Sequence, residues 1–275
     1  MTVAHVALPV AADAAFDYWI PDGLALEVGA VVRVRLARRS LVGVVVGIGE
    51  EAAVDARKLQ PIAEVVEQTR ALPADLLELA HFVSGYYQEP LGLVIAQFLP
   101  PLPPARTTVS ARSAIVRAPC PRPAPVAHGV PATSARLNSD QQRAVDALVA
   151  ARGRFAPFLL QGVTGSGKTE VYLAAAAQCI AAGGQVLVLV PEINLTPQFE
   201  QRIARALPGR RTVTLHSRLA PGERRRNWIA GATGEADLVL GTRLAVFVPL
   251  PRLALVVVDE EHDPSFKQQE GARYS

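Results

Sequence analysis

The stretch Gly162 to Thr169 reads GVTGSGKT and fits the pattern G-x-x-x-x-G-K-[ST]. Gly162, Gly165 and Gly167 let consecutive backbone N–H groups turn inward around a phosphate, with Thr164 and Ser166 completing the curl. Lys168 would set an ammonium at the β- and γ-phosphates, and the Thr169 hydroxyl suits Mg²⁺. Far downstream, Asp259 and Glu260 close an apolar run in VVVDEEHD. Adjacent acids there can divide labour: Asp259 holds Mg²⁺, and Glu260 positions and deprotonates the water that attacks the γ-phosphate. Taken alone, DEEH reads equally well as a solvated turn; beside the phosphate loop, the chemical reading is the better one.

These groups work only if the fold brings them together. FAPFLLQ before the loop predicts a buried strand, and GKTEVYLAAAAQCIAA a long helix ended by Gly183 and Gly184. SDQQRAVDALVAA predicts a helix capped by Ser139 or Asp140. QVLVLV, RTVTLH, ADLVLGT and LALVVVDE predict strands, with helices over TPQFEQRIARAL and PGERRRNWIAGA between them. Continuously apolar strands separated by helices predict a parallel sheet covered on both faces, with Asp259 and Glu260 projecting from its carboxyl edge.

The first part of the chain has another texture. VAHVALPV, AFDYWI, VVRVRLA, LVGVVVGIG and LQPIAEVV predict short strands of a small β domain, barrel or sandwich. From Leu72 the apolar spacing turns helical behind Pro73, so a helix closes that domain. Nine of the 22 prolines fall between Pro100 and Pro131, which predicts an extended linker.

Composition sets outer bounds. With 275 residues, half of them apolar, the chain can bury a core, and its length suggests about two domains. A net charge of +3 permits a polyanionic partner without requiring one. Cys120 and Cys179 lack metal-ligand spacing, so neither zinc nor a disulfide framework is expected. No apolar stretch reaches the ~18 residues of a membrane span, and the expectation is a soluble cytoplasmic protein with no membrane partner.

The motifs, in order, resemble a known family. A phosphate loop followed by Asp-Glu-x-His is similar to superfamily 2 helicases. GVTGSGKTEVYL, LVPEINLTPQ, LHSRLAPGERRRNW, LVLGTRLAVFVPLPRL and VVVDEEHDPSFKQQEGARY together resemble the PriA family of replication-restart helicases, also called primosomal protein N′. VALPV, FDY, Lys58 and YYQEPLG are similar to that family's 3′-end DNA-binding domain. The resemblance implies an α/β chain: a 3′-end-binding β domain over residues 1–100, a proline-rich linker over 101–134 where family members commonly carry a winged helix, and a RecA-like, ATP-binding helicase lobe 1 over 135–275.

It also implies roles. Gln141 would contact adenine; Phe16, Asp17 and Tyr18 would receive the 3′-terminal nucleotide, and Lys58 a phosphate. From the residues alone, FDY reads rather as strand core with a turn acid. Pro191 and Glu192, with Gly241, Thr242 and Arg243, would touch the backbone of single-stranded DNA without reading bases. Phe266 and Tyr274 could stack on bases, and Lys267 and Arg273 could hold phosphates. The run Arg224 to Arg226, near Trp228, reads as a solvated face.

The implied activity is an ATP- and Mg²⁺-dependent 3′→5′ DNA helicase of replication restart, acting on forked and single-stranded DNA with primosome proteins and single-strand-binding protein. Departures stand at Ala272, at Ser275, and at Arg35 to Ala37, where the family commonly has proline, phenylalanine and glycine. The family's second lobe, with its arginine finger, and its zinc-binding cysteines are not in these residues. The chain therefore reads as an N-terminal fragment or a shortened gene product that binds nucleotide and hydrolyses it poorly. A non-catalytic fork- and ATP-binding fragment, or another superfamily 2 DNA translocase, is the alternative, and DEEH with GTR speaks against a small-molecule kinase.

Overall fold

The computed structural model describes residues 2–66, 69–102, 137–163 and 165–268. Residues 103–134 of the expected linker, Thr164, Arg273 and Tyr274 lie outside them. The chain divides into two compact units, the first drawn mainly from the N-terminal residues and the second mainly from residues 137–266.

The first unit is one six-stranded sheet, not two stacked sheets. Its strands are β1 (Val3–Ala7), β2 (Phe16–Trp19), β3 (Val31–Leu36), β4 (Arg39–Gly49), β5 (Gln60–Pro61) and β6 (Glu64–Val65), in the order β5-β2-β1-β4-β3-β6. β1 pairs antiparallel with β2 and β4, and β3 antiparallel with β4 and β6. Period-two apolar positions meet on one face: Ala4, Val6, Tyr18, Val32, Val34 and Val45 share one core. Two helices follow, α1 (Ala74–Tyr87), as predicted behind Pro73, and the short α2 (Leu91–Ala96). Gly92 lets α2 close on the end of β1, because a Cβ there would lie 1.7 Å from the Leu8 carbonyl oxygen. At the β3–β4 turn Ala37 holds φ +53°, a left-handed conformation that glycine adopts more readily.

The second unit carries a four-stranded sheet in the order β10-β7-β9-β8, parallel throughout. Its elements are α3 (Ser139–Ala150), α4 (Lys168–Ala181), β7 (Gln185–Leu189), α5 (Pro197–Ala206), β8 (Thr212–Leu215), α6 (Pro221–Ala232), β9 (Leu238–Gly241) and β10 (Leu253–Val258). The alanines of α4 allow close approach on several sides: Ala174 and Ala175 pack toward Val145 of α3, while Ala176 and Ala177 join the core beneath the sheet. Gln185 is fully buried yet satisfied, donating to the Gly231 and Ala236 carbonyls and accepting from the Arg252 N–H.

Three expectations need correction. FAPFLLQ forms no strand: Phe155 is 95% and Leu159 81% exposed, while Leu160 packs against the Val145 cluster. A strand needs a neighbour to take its N–H and C=O groups, and this segment pairs with none of the described strands. β10 is the edge strand, so Leu253, Val256 and Val258 stay about half exposed rather than buried. The cap of α3 is Asn138, one residue before Ser139; it accepts the Gln141 N–H while the Gln141 side chain accepts the Asn138 N–H. Trp228, near the basic run Arg224 to Arg226, is buried on α6.

Candidate functional site

The phosphate loop carries the backbone its glycines predict. Gly165 and Gly167 stand at φ +81° and +84°, and a Cβ on Gly162 would lie 2.5 Å from the Ser166 hydroxyl. α4 begins directly at Lys168, so its free N–H groups point back into the curl. The Lys168 ammonium donates to the Gly162 carbonyl at 2.8 Å, spanning the loop where a phosphate would otherwise meet it. Gln141 does more than start a helix: besides its capping role, its Nε2 donates to the Ser166 carbonyl at 3.0 Å.

Parallel strands put every strand end on one edge. Asp259 follows β10, its N–H extending the ladder to the Leu189 carbonyl at 2.9 Å. Its carboxylate accepts, at 3.0 Å, the hydroxyl of Tyr172 on α4, the helix that opens with Lys168 and Thr169. The turn bearing Lys168 and the acidic strand end therefore adjoin, through a tyrosine that sequence reasoning passed over as a core position. Burial first, then the Asp259 charge, pushes the Tyr172 phenol well above its ordinary range, so it stays a proton donor. Glu260 sits at φ +51° with its carboxylate 41% exposed, open to water, and 3.6 Å from the His262 imidazole. Thr169 and Asp259 supply hard oxygen donors, and the loop supplies N–H groups and an ammonium. The residues present thus fit a magnesium-bound nucleoside triphosphate.

The expected DNA-facing residues line the same edge. Pro191 and Glu192 follow β7, and Gly241 ends β9 with Thr242 and Arg243 behind it. Gly241 is required by space, since a Cβ there would be 2.3 Å from that of Ala245. Thr242 is buried; the Arg243 guanidinium donates to the Ser265 carbonyl at 3.1 Å, fastening the loop that follows the acids. Ser217 and Arg218, not singled out beforehand, join the β8 end to the β7 end by donating to the Glu192 carboxylate and carbonyl. Burial and then the Arg218 charge push the His216 imidazole down, and its Nδ1 accepts the Arg218 N–H. Phe266 is partly buried and Lys267 exposed.

In the first unit, the three expected residues of β2 have different surroundings. Tyr18 is 3% exposed, donates to the Arg35 carbonyl at 2.9 Å, and belongs to the core. Phe16 is half-buried, and Lys58 is exposed at the end of a short helical turn. Both Asp17 oxygens have partners, His5 Nδ1 at 2.7 Å and the Ala53 N–H at 2.6 Å. His5 is the residue sequence reasoning missed here; its position opposite Asp17 in the β1–β2 ladder was the available signal.

Comparison with known proteins follows the same division. Residues 5–100 match the 3′ DNA-binding domain family of PriA, and residues 138–274 the DEAD/DEAH box helicase family. Among curated relatives named replication restart protein PriA, that of Rickettsia felis is 32% identical over 276 residues, covering all of this chain and 40% of the relative. That of Haemophilus influenzae is 29% identical, covering all of this chain and 46% of the relative. That of Synechocystis is 47% identical over 132 residues, 48% of this chain and 16% of the relative. The chain spans about two fifths of the length of the curated relatives it matches. Among the described residues, no helix is long and apolar enough to cross a membrane.

Proposed function

Since the chain belongs to the PriA family of replication restart proteins, we propose that it is the fork-recognising, nucleotide-binding N-terminal part of an ATP-dependent 3′→5′ DNA helicase. The observation that carries this is the bond from Tyr172 of α4, the helix that opens with Lys168 and Thr169, to Asp259, on the strand-end edge that also holds Glu192 and Arg243. Lys168 would leave the Gly162 carbonyl for the β- and γ-phosphates, and the loop N–H groups would wrap them. Thr169 and Asp259 would hold Mg²⁺, which when bound neutralises charge on the phosphate oxygens. Glu260 would orient the attacking water and take its proton. Gln141, fixed against the loop, is the candidate adenine contact.

Single-stranded DNA would cross the strand ends, its phosphates met by the Pro191 turn and by Gly241, Thr242 and Arg243, with Lys267 and Arg273 on the following loop. The first unit would receive the 3′ terminus: Phe16 would stack on the base, Lys58 would meet a phosphate, and Asp17, oriented by His5, would accept a hydrogen bond from the 3′-hydroxyl on a remaining carboxylate lone pair. Assembly with primosome proteins and single-strand-binding protein belongs to the same proposal. The second reading, a fork-binding part that turns over no ATP by itself, is favoured by the exposure of the segment before the loop. An arginine finger contributes ~10³ to 10⁵ in rate in related motors, and these residues offer no assigned one.

The DNA half is tested by anisotropy with labelled oligonucleotides ending in a 3′-hydroxyl or a 3′-phosphate. The unmodified end should bind about tenfold tighter, the worth of one hydrogen bond to a charged group. Asp17→Asn should reduce that ratio toward one. Equal affinity of the wild-type chain for both ends would remove the 3′-end assignment.

A further inference from the structure

Tyr172 stands on the second turn of α4, 5% exposed, in the same apolar cluster as Leu173, Ala176 and Ile180. Packing alone would be met by phenylalanine. The hydroxyl is committed: it donates to Asp259 Oδ2 at 3.0 Å. A phenol has one proton to give, and here it goes to Asp259, so this single atom ties the helix that bears Thr169 to the acidic strand end. Thr169 comes from the start of α4 and Asp259 from the far end of the edge strand β10.

We infer that Tyr172 is a positioning residue that sets the separation and orientation of Thr169 and Asp259 for magnesium. The inference rests on the nucleotide-site reading above. With Oδ2 held by the phenol, the Asp259 carboxylate keeps one rotamer and leaves Oδ1 for the cation or its water. Among the described strands β10 is at the edge and pairs only with β7, so its end has fewer ladder bonds to fix it than an inner strand has. A rigid tie from the buried helix compensates for that. Partners behind a metal's direct ligands characteristically change metal affinity by one to two orders of magnitude when removed.

Tyr172→Phe keeps the ring and deletes only the hydroxyl. In the full 275-residue chain, binding of a fluorescent ATP analogue is titrated with Mg²⁺ and compared with binding in EDTA. The Mg²⁺ concentration at half-effect should rise about tenfold while metal-free nucleotide affinity stays within about twofold. A half-effect concentration equal to that of wild type overturns the inference, as does an equal loss with and without Mg²⁺, which marks a damaged fold. Asp259→Asn supplies the second arm. If Tyr172 acts through Asp259, the double variant loses no more Mg²⁺ dependence than Asp259→Asn alone, whereas additive losses overturn the inference. Failure of the underlying reading looks different: Lys168→Ala would then bind the analogue as wild type does.

Discussion

Lys168→Ala is expected to lower ATP affinity by about 100-fold, the effect of losing about 3 kcal/mol of charge-assisted hydrogen bonding to phosphate. The ammonium lies across the loop, 2.8 Å from the Gly162 carbonyl, and no other lysine or arginine belongs to this turn. Thermal stability should change little, since the bond it makes to Gly162 joins two ends of one short curl. Calorimetric titration with ATP and Mg²⁺ reads the effect. Retained affinity would mean that the phosphates are held elsewhere and would remove Lys168 from the site.

Glu260→Gln should separate binding from chemistry. The residue keeps a left-handed φ of +51°, unusual for a non-glycine, held by the Asp263 N–H on its carbonyl at 2.8 Å. That turn presents an exposed carboxylate beside Asp259, reachable by a water that a buried acid could not receive. Glutamine keeps the shape and loses the base, so hydrolysis with single-stranded DNA present should slow by about 10² to 10⁴, with nucleotide affinity kept within about twofold. Single-turnover measurements on wild type and variant decide it. Undiminished hydrolysis in the variant would assign the base to another residue.

What could be read in the sequence, and what could not, follows from how local each signal is. The phosphate loop, the helix behind it and the parallel strands are encoded by glycine spacing, caps and apolar runs within a few residues of one another, and the structure has them. Their common edge follows from parallel topology alone. FAPFLLQ misleads because an apolar run specifies burial without specifying a neighbour, and no described strand pairs with it. The apolar run of β10 misleads likewise, since it stands at an edge.

Tyr172 was hidden by its own surroundings. In EVYLAAAAQC it has the spacing of a core residue, and it is one; only the fold shows that its hydroxyl reaches Asp259, 87 residues away. Asp17 is the converse case. From the residues alone it reads as a turn acid, and the resemblance implies an acceptor for the 3′ terminus; neither shows that His5 and Ala53, distant in sequence, already engage it. Ala37, where the resemblance implies glycine, holds a glycine-like φ of +53°, a local strain that only the backbone reveals.

The central claim is that one magnesium-bound nucleotide joins the Lys168 turn to the Asp259 strand end. A crystal structure of the chain with a non-hydrolysable ATP analogue and Mn²⁺ in place of Mg²⁺ tests it most directly, because manganese is located by its anomalous scattering. The account predicts a single manganese peak between the Thr169 hydroxyl and the Asp259 carboxylate, with the phosphates wrapped by residues 162–169. A peak remote from either residue, or a triphosphate seated away from the loop, would contradict it.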